Sequence, residues 1–173
     1  MSKKKVLFLD RDGVINIDKG YVNKYQDIEY VPGIFKLCSY LIKKYNYYII
    51  IITNQSGIGR GFYSEKNFND LMKSIVFDFK KNDVEILDYF FSPYYIKSNN
   101  LNYRSCKNFL KRKPSNGMIL EACSKHKINI QKSIFIGDQK SDFYLSRKFK
   151  NLRFINFDIK KRKNINTLKS FFN

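Results

Sequence analysis

The chain alternates short apolar runs with longer amphipathic stretches. The first run, Val6 to Leu9, leads into Asp10, and a strand is predicted over about Lys5 to Asp10. An apolar run bounded by turn residues reads as a buried strand. YYIIIIT, Tyr47 to Thr53, is apolar enough to be covered on both faces. Further strands are predicted at about Ile86 to Phe91, at SIFIG before Asp138, and at LRFINF. Between them lie stripes at helical spacing. One is Ile34, Leu37, Cys38, Leu41, Ile42 and Tyr45; another is Phe68, Leu71, Met72, Ile75, Val76 and Phe79, with Ser64 as N-cap and Glu65 in the first turn. Pro114 and Ser115 open a third helix that runs to about His126, and a fourth spans roughly Ser141 to Lys150. Asn166 to Asn173 is expected to form a short helix that packs Leu168, Phe171 and Phe172.

Strands alternating with helices predict an α/β fold, a three-layer Rossmann-like parallel sheet with helices on both faces. Two polar stretches break the rhythm. Arg11 to Pro32 is too long for a simple turn and reads as a functional flap. Ser92 to Lys113 is a second long loop, rich in Asn, Ser, Tyr and Lys. With no repeat and no linker, residues 1–173 are expected to form one domain.

Charge changes the picture only slightly. The chain carries 33 basic and 15 acidic residues, a net charge of +18. Such a balance suits a nucleic-acid partner, but the lysines are spread out and no nucleic-acid-binding motif is present. The nearest clusters are Lys3 to Lys5, Lys111 to Lys113 and Lys160 to Lys163. A nucleic-acid partner is therefore not expected, whereas a positive field favours anionic substrates. Three dispersed cysteines, Cys38, Cys106 and Cys123, fit free thiols in a reducing cytoplasm. No apolar run is long enough to span a bilayer, and the short run after MSKKK does not read as a secretory signal.

The candidate chemistry gathers at the strand ends. Asp10 and Asp12 follow the first strand at a spacing of two. On that stretch alone they are as readily two solvated loop acids as a metal-assisted pair. Thr53 to Gly61, Arg112 with Lys113, and Asp138 to Asp142 follow other strands. In a parallel sheet all these ends share one edge, so the segments converge. Asp10 and Asp138, with Asp142 as a third candidate, offer hard oxygen ligands that suit magnesium. Thr53, Asn54, Gln55 and Ser56 offer donors, and Arg112 and Lys113 add positive charge. Acids with a metal, donors and a lysine describe phosphoryl transfer. The one histidine, His126, falls late in a helix and is expected at its surface or last turn, outside the chemistry.

LFLDRDGVIN, TNQSGIGRG, RKPSNGM and IGDQKSD, in this order, resemble the four motifs of the haloacid dehalogenase superfamily of phosphatases. More narrowly they resemble the D-glycero-D-manno-heptose-1,7-bisphosphate 7-phosphatases and the histidinol-phosphate phosphatases, as does DKGYV at Asp18 to Val22. The resemblance implies a capless, magnesium-dependent sugar-phosphate phosphatase, and the chain is expected to be cytoplasmic and monomeric. Asp10 would be the nucleophile and Asp12 the general acid and base. Asp10, Asp138 and the Asp12 backbone carbonyl would hold Mg2+, and Thr53 and Lys113 the transferring phosphoryl oxygens. Asp18, Lys19, Gly20, Tyr21, Asn54, Gln55, Ser56 and Arg112 would contact the sugar or its second phosphate, with Gln139 beside them. Asp142 would support the metal's surroundings or Lys113. The chain departs from the family at two places. Ser92, Tyr94, Phe109 and Lys111 stand where the family carries zinc ligands, so no zinc is expected. Gln139 stands where the heptose phosphatases tend to have a lysine.

Overall fold

Asp10 lies at the centre of one edge of a five-stranded sheet, because the strand that delivers it is the middle one. The computed structural model describes residues 3–104, 110–161 and 163–172. Its strands are β1 (Val6–Leu9), β2 (Tyr48–Asn54), β3 (Ile86–Ser92), β4 (Ile134–Gly137) and β5 (Arg153–Asn156), in the spatial order β3-β2-β1-β4-β5. Every pairing is parallel, with Leu9 level with Ile51 on one side and Ile136 on the other.

The helices are α1 (Ile34–Tyr45), α2 (Ser56–Gly59), α3 (Glu65–Lys81), α4 (Leu101–Arg104), α5 (Gly117–His126) and α6 (Lys140–Ser146). Alternation along β1 sends Leu7 and Leu9 into one apolar cluster and Val6 and Phe8 into another. The first cluster takes Leu37, Cys38 and Leu41 of α1 and Phe68, Leu71, Met72, Ile75 and Phe79 of α3. The second takes Met118, Ile119 and Ala122 of α5 and Leu145 of α6. This is the expected three-layer α/β arrangement. Among the described residues no helix is long and apolar enough to cross a membrane.

Four local details differ from the sequence expectation. The helix expected from Pro114 begins at Gly117, because Ser115 N–H first closes a turn onto the Arg112 carbonyl. The helix expected to reach Lys150 ends at Ser146, where Lys148 and Phe149 tighten onto carbonyls three residues back and the Ser146 hydroxyl bonds the Phe143 carbonyl. The NQSGIGRG loop contains the single turn of α2. Finally, the C-terminal segment is a 3-10 helix, Ile165–Phe171, which buries Leu168 and packs Phe172 on the core but leaves Phe171 exposed. Cys38 is buried and free, Cys123 half-buried and free, and Cys106 lies outside the described residues.

His126 sits in the last turn of α5, where it shares the Asp88 carboxylate of β3 with Lys125, at 2.6 Å and 2.8 Å. Burial alone would raise the Asp88 carboxyl, but the bonds from Lys125 and His126 hold it below its ordinary value. An acid depressed in the folded state contributes stability above its unfolded pKa and loses it as pH falls through the folded one. Asp88→Ala is therefore expected to cost about 1 kcal/mol at pH 7, and less in strong acid. Urea unfolding at the two pH values measures both numbers.

Candidate active site

The ends of β1, β2 and β4 surround a cleft of about 440 Å3 lined by Asp10, Asp12, Thr53, Asn54, Gln55 and Lys113, among others. Asp18, Gly20, Tyr21, Ser56, Arg112 and Gln139 also reach it. Lys19 does not line it: its ammonium pairs with Glu29 at 2.9 Å, on the exposed side of the flap. Asp18 is placed by its own loop, where it accepts from Gly20 N–H at 2.9 Å.

Lys113 is the electrostatic centre. It is only 3% exposed, and its ammonium lies 2.8 Å from Asp10 Oδ1 and 2.7 Å from Asp142 Oδ1. It also donates to the Ile52 carbonyl at 3.1 Å. Asn54 fixes the lysine's backbone from both sides, donating to its carbonyl and accepting from its N–H. The amide expected to touch substrate thus positions Lys113. Asp142 caps α6 through Gln139 N–H and faces the same lysine.

Two buried carboxylates meet this one lysine, and a third, that of half-buried Asp138, lies beside them. Oxygens of Asp10, Asp138 and Asp142 all lie within 4.8 Å of one another. Burial raises Asp10 well above its ordinary range; Lys113 opposes this, while Asp142 and Asp138 add to it. Burial likewise pushes Asp138 up to about 6. Asp138 Oδ2 accepts from Gln139, but its Oδ1 is buried with no hydrogen-bond partner. Unspent acceptor capacity among hard oxygen donors, short of positive charge, fits a divalent cation such as magnesium. Gly13, at φ +88°, permits this packing, since a side-chain carbon there would collide with the Asp138 carboxylate.

Asp12 is oriented by a network that the sequence reading did not anticipate. Arg11, fully buried, meets its carboxylate through Nε and Nη2 and ties Nη2 to the Val22 carbonyl of the flap. Asn16 donates to Oδ1 and Gln55 to Oδ2, each at 3.0 Å. Burial pushes the Tyr63 phenol up to about 12, so it stays protonated and donates to Gln55 Oε1 at 2.7 Å. The same Gln55 amide donates to Thr53 Oγ1 at 2.8 Å. Thr53 accepts that bond and keeps its own proton to donate. Gln55→Ala is expected to lower kcat roughly 100-fold with little change in KM, because it releases Asp12 and Thr53 together; steady-state kinetics separates the two.

Two guanidinium groups lie at this end of the molecule, Arg112 in the lining of the cleft and Arg60 in that of a neighbouring pocket. Arg112 donates to the Tyr94 carbonyl at 3.2 Å, and burial together with the nearby Arg60 lowers its pKa. Arg60 lies 3.7 Å from the ring centroid of Tyr95 and 5.8 Å from that of Tyr21. Among the described residues neither arginine forms an ion pair. The Ser92–Tyr95 segment is held here by Gln55 N–H on the Ser92 carbonyl and Gly59 N–H on the Pro93 carbonyl. Lys111, at one of the lost zinc positions, pairs with Glu121 at 2.9 Å. Phe109, at another, lies outside the described residues. Arg11, Arg60, Tyr63 and Ser141 were not singled out from sequence. Arg11 had a visible signal in its place between the two acids, and Arg60 and Ser141 in the segments Thr53 to Gly61 and Asp138 to Asp142; Tyr63 had none.

A family model described as polynucleotide kinase 3 phosphatase matches residues 5–169. A D-glycero-alpha-D-manno-heptose-1,7-bisphosphate 7-phosphatase from Campylobacter jejuni is 44% identical over 140 residues, covering 81% of this chain and 74% of the relative. A D-glycero-beta-D-manno-heptose-1,7-bisphosphate 7-phosphatase from Helicobacter pylori is 40% identical over 154 residues, covering 87% and 83%. The crystal structure of D,D-heptose 1,7-bisphosphate phosphatase from B. bronchiseptica, complexed with magnesium and phosphate, superposes with a TM-score of 0.76 at 17% identity, covering 98% of this chain and 99% of that one. With acids, lysine and threonine at the shared strand edge, the chain belongs to the haloacid dehalogenase superfamily, in the family of the heptose-1,7-bisphosphate 7-phosphatases, and is a phosphatase.

Proposed function

We propose that this phosphatase removes the 7-phosphate of a D-glycero-D-manno-heptose 1,7-bisphosphate, acting as a one-domain cytoplasmic monomer. The observation that carries the reading is Asp10 and Asp12 in one cleft with Lys113 between two buried carboxylates. Asp10 attacks phosphorus as the bond to the sugar oxygen breaks, and Asp12 gives that oxygen its proton. The Asp12 carboxylate then takes a proton from water. The water oxygen attacks phosphorus, and the bond to Asp10 breaks, releasing phosphate. Lys113 and the Thr53 hydroxyl hold the transferring oxygens. Asp10, Asp138 and the Asp12 carbonyl would hold magnesium, which supplies neutralising charge where carboxylate meets anion.

The second phosphate is read by these two arginines. Among the described residues Arg60 and Arg112 are cations without a carboxylate partner; Arg112 lines the cleft, and Arg60 is near enough to depress its pKa. They offset the positive charge missing at Gln139, whose amide is turned to Asp138. The decisive experiment is phosphate release from the two anomers of heptose 1,7-bisphosphate, histidinol phosphate and a 3′-phosphorylated oligonucleotide. A heptose bisphosphate should be the best substrate. Arg60→Ala with Arg112→Ala should raise its KM roughly 10-fold or more while sparing a monophosphate. Preference for histidinol phosphate or the oligonucleotide would replace this reading.

A further inference from the structure

At the opposite edge of the sheet, where the strands begin, lies a cavity of about 630 Å3 that the phosphatase chemistry does not use. Lys5 and Asp10 bracket β1, so roughly 16 Å of strand separates this cavity from the nucleophile. It is lined by Lys3, Lys4 and Lys5 ahead of β1, Tyr47 and Tyr48 at the start of β2, and Lys132 ahead of β4. Its one acid is Glu85. Among the described residues none of the four lysines forms an ion pair.

These lysines are not a loose tail. Lys4 N–H donates to the Lys127 carbonyl at 3.0 Å, its carbonyl accepts from Asn129 N–H at 2.7 Å, and the Lys5 carbonyl accepts from Tyr48 N–H at 2.9 Å. Aromatic faces hold two of the ammonium groups: Lys4 lies 5.4 Å from the Tyr48 ring centroid, and Lys5 4.6 Å from that of Tyr47. Fixed backbone and ring contacts thus bring uncompensated positive charge into one concavity. The repulsion is relieved by an anion with several charges. The size of the cavity suits a small molecule better than an extended chain.

We propose that this cavity is a second anion site, which binds a compact polyanion carrying two or more phosphate groups, separate from the active site. Tripolyphosphate serves as the probe, titrated by calorimetry in EDTA to keep a metal-bound active site out of the signal. One site per chain is expected, with binding that weakens as salt rises. Lys4→Glu with Lys132→Glu should weaken it at least 10-fold and leave phosphatase turnover unchanged, which also shows that the variant is folded. Arg60→Ala with Arg112→Ala should change it less than 2-fold. No binding overturns the proposal. So does binding that survives the lysine changes, or that is lost with the arginines. A single-stranded oligonucleotide that binds through these lysines when tripolyphosphate does not would make the face a nucleic-acid surface instead, and would equally refute a compact-anion site.

Discussion

Asp10→Asn is expected to lower kcat by at least ~10,000-fold while leaving the protein folded. The amide keeps the shape of the carboxylate and can still accept at the oxygen that Lys113 and Arg11 N–H now share. It cannot form an acyl phosphate. Stability should not fall with activity. Burial, Asp142 and Asp138 hold the Asp10 carboxyl well above its ordinary range, against the pull of Lys113. An acid raised in the folded state binds its proton more tightly there than in the unfolded chain. Its contribution to stability is therefore lost as pH rises from the unfolded pKa through the folded one. The neutral amide has no such cost, so at pH 7 without divalent cation the variant should melt no lower than the parent. Phosphate release and a thermal melt test the two halves separately; retained turnover would remove Asp10 as the nucleophile.

Lys113→Ala is the opposite case, in which activity and stability should fall together. The lysine lies between Asp10 and Asp142, fully enclosed, with a third contact to the Ile52 carbonyl. Deleting one partner of a buried ion pair leaves the other uncompensated, at a cost of about 3–5 kcal/mol. Here two carboxylates are left, beside a third at Asp138. Adding Asp142→Asn to Lys113→Ala should recover part of that stability, because one orphaned charge goes with it. Turnover should stay lost in both variants, since neither restores a cation to the phosphoryl oxygens. Urea unfolding of the two single variants and the double variant gives the coupling; strictly additive losses would contradict the shared cluster.

The frame of the molecule was legible because its strands are short apolar runs with nothing else to be. YIIIITN can only be covered on both faces, and Asp10, Thr53 and Asp138 follow from where such strands end. What sequence could not reveal is how a polar side chain divides its hydrogen bonds. Asn54 reads as a substrate donor in its motif, but its amide fits the Lys113 backbone on both sides. Lys19 reads with its flap neighbours, yet a carboxylate ten residues on, Glu29, draws it outward. Arg11, not singled out from sequence, is fully buried and spans Asp12 and the flap. Tyr63 comes from the far end of its loop, at no spacing that pattern reading tests. Phe171 follows the apolar rhythm, three residues after Leu168, but it closes the 3-10 helix and stays exposed while its neighbour Phe172 packs on the core.

The order of the strands has a consequence for how such an enzyme can change over time. Its acids and Thr53 hang from β1, β2 and β4, the three inner strands, each clamped between two neighbours, and Lys113 is tied to β2 through Asn54 and the Ile52 carbonyl. The loop that has lost its zinc pattern leaves from β3, at the sheet's margin. Rewriting the part of that loop ahead of Arg112 disturbs one strand pairing at most and moves neither the acids nor Lys113. Selection can therefore retune what the enzyme accepts without first breaking what it does, and a lineage could drift between substrates by small viable steps.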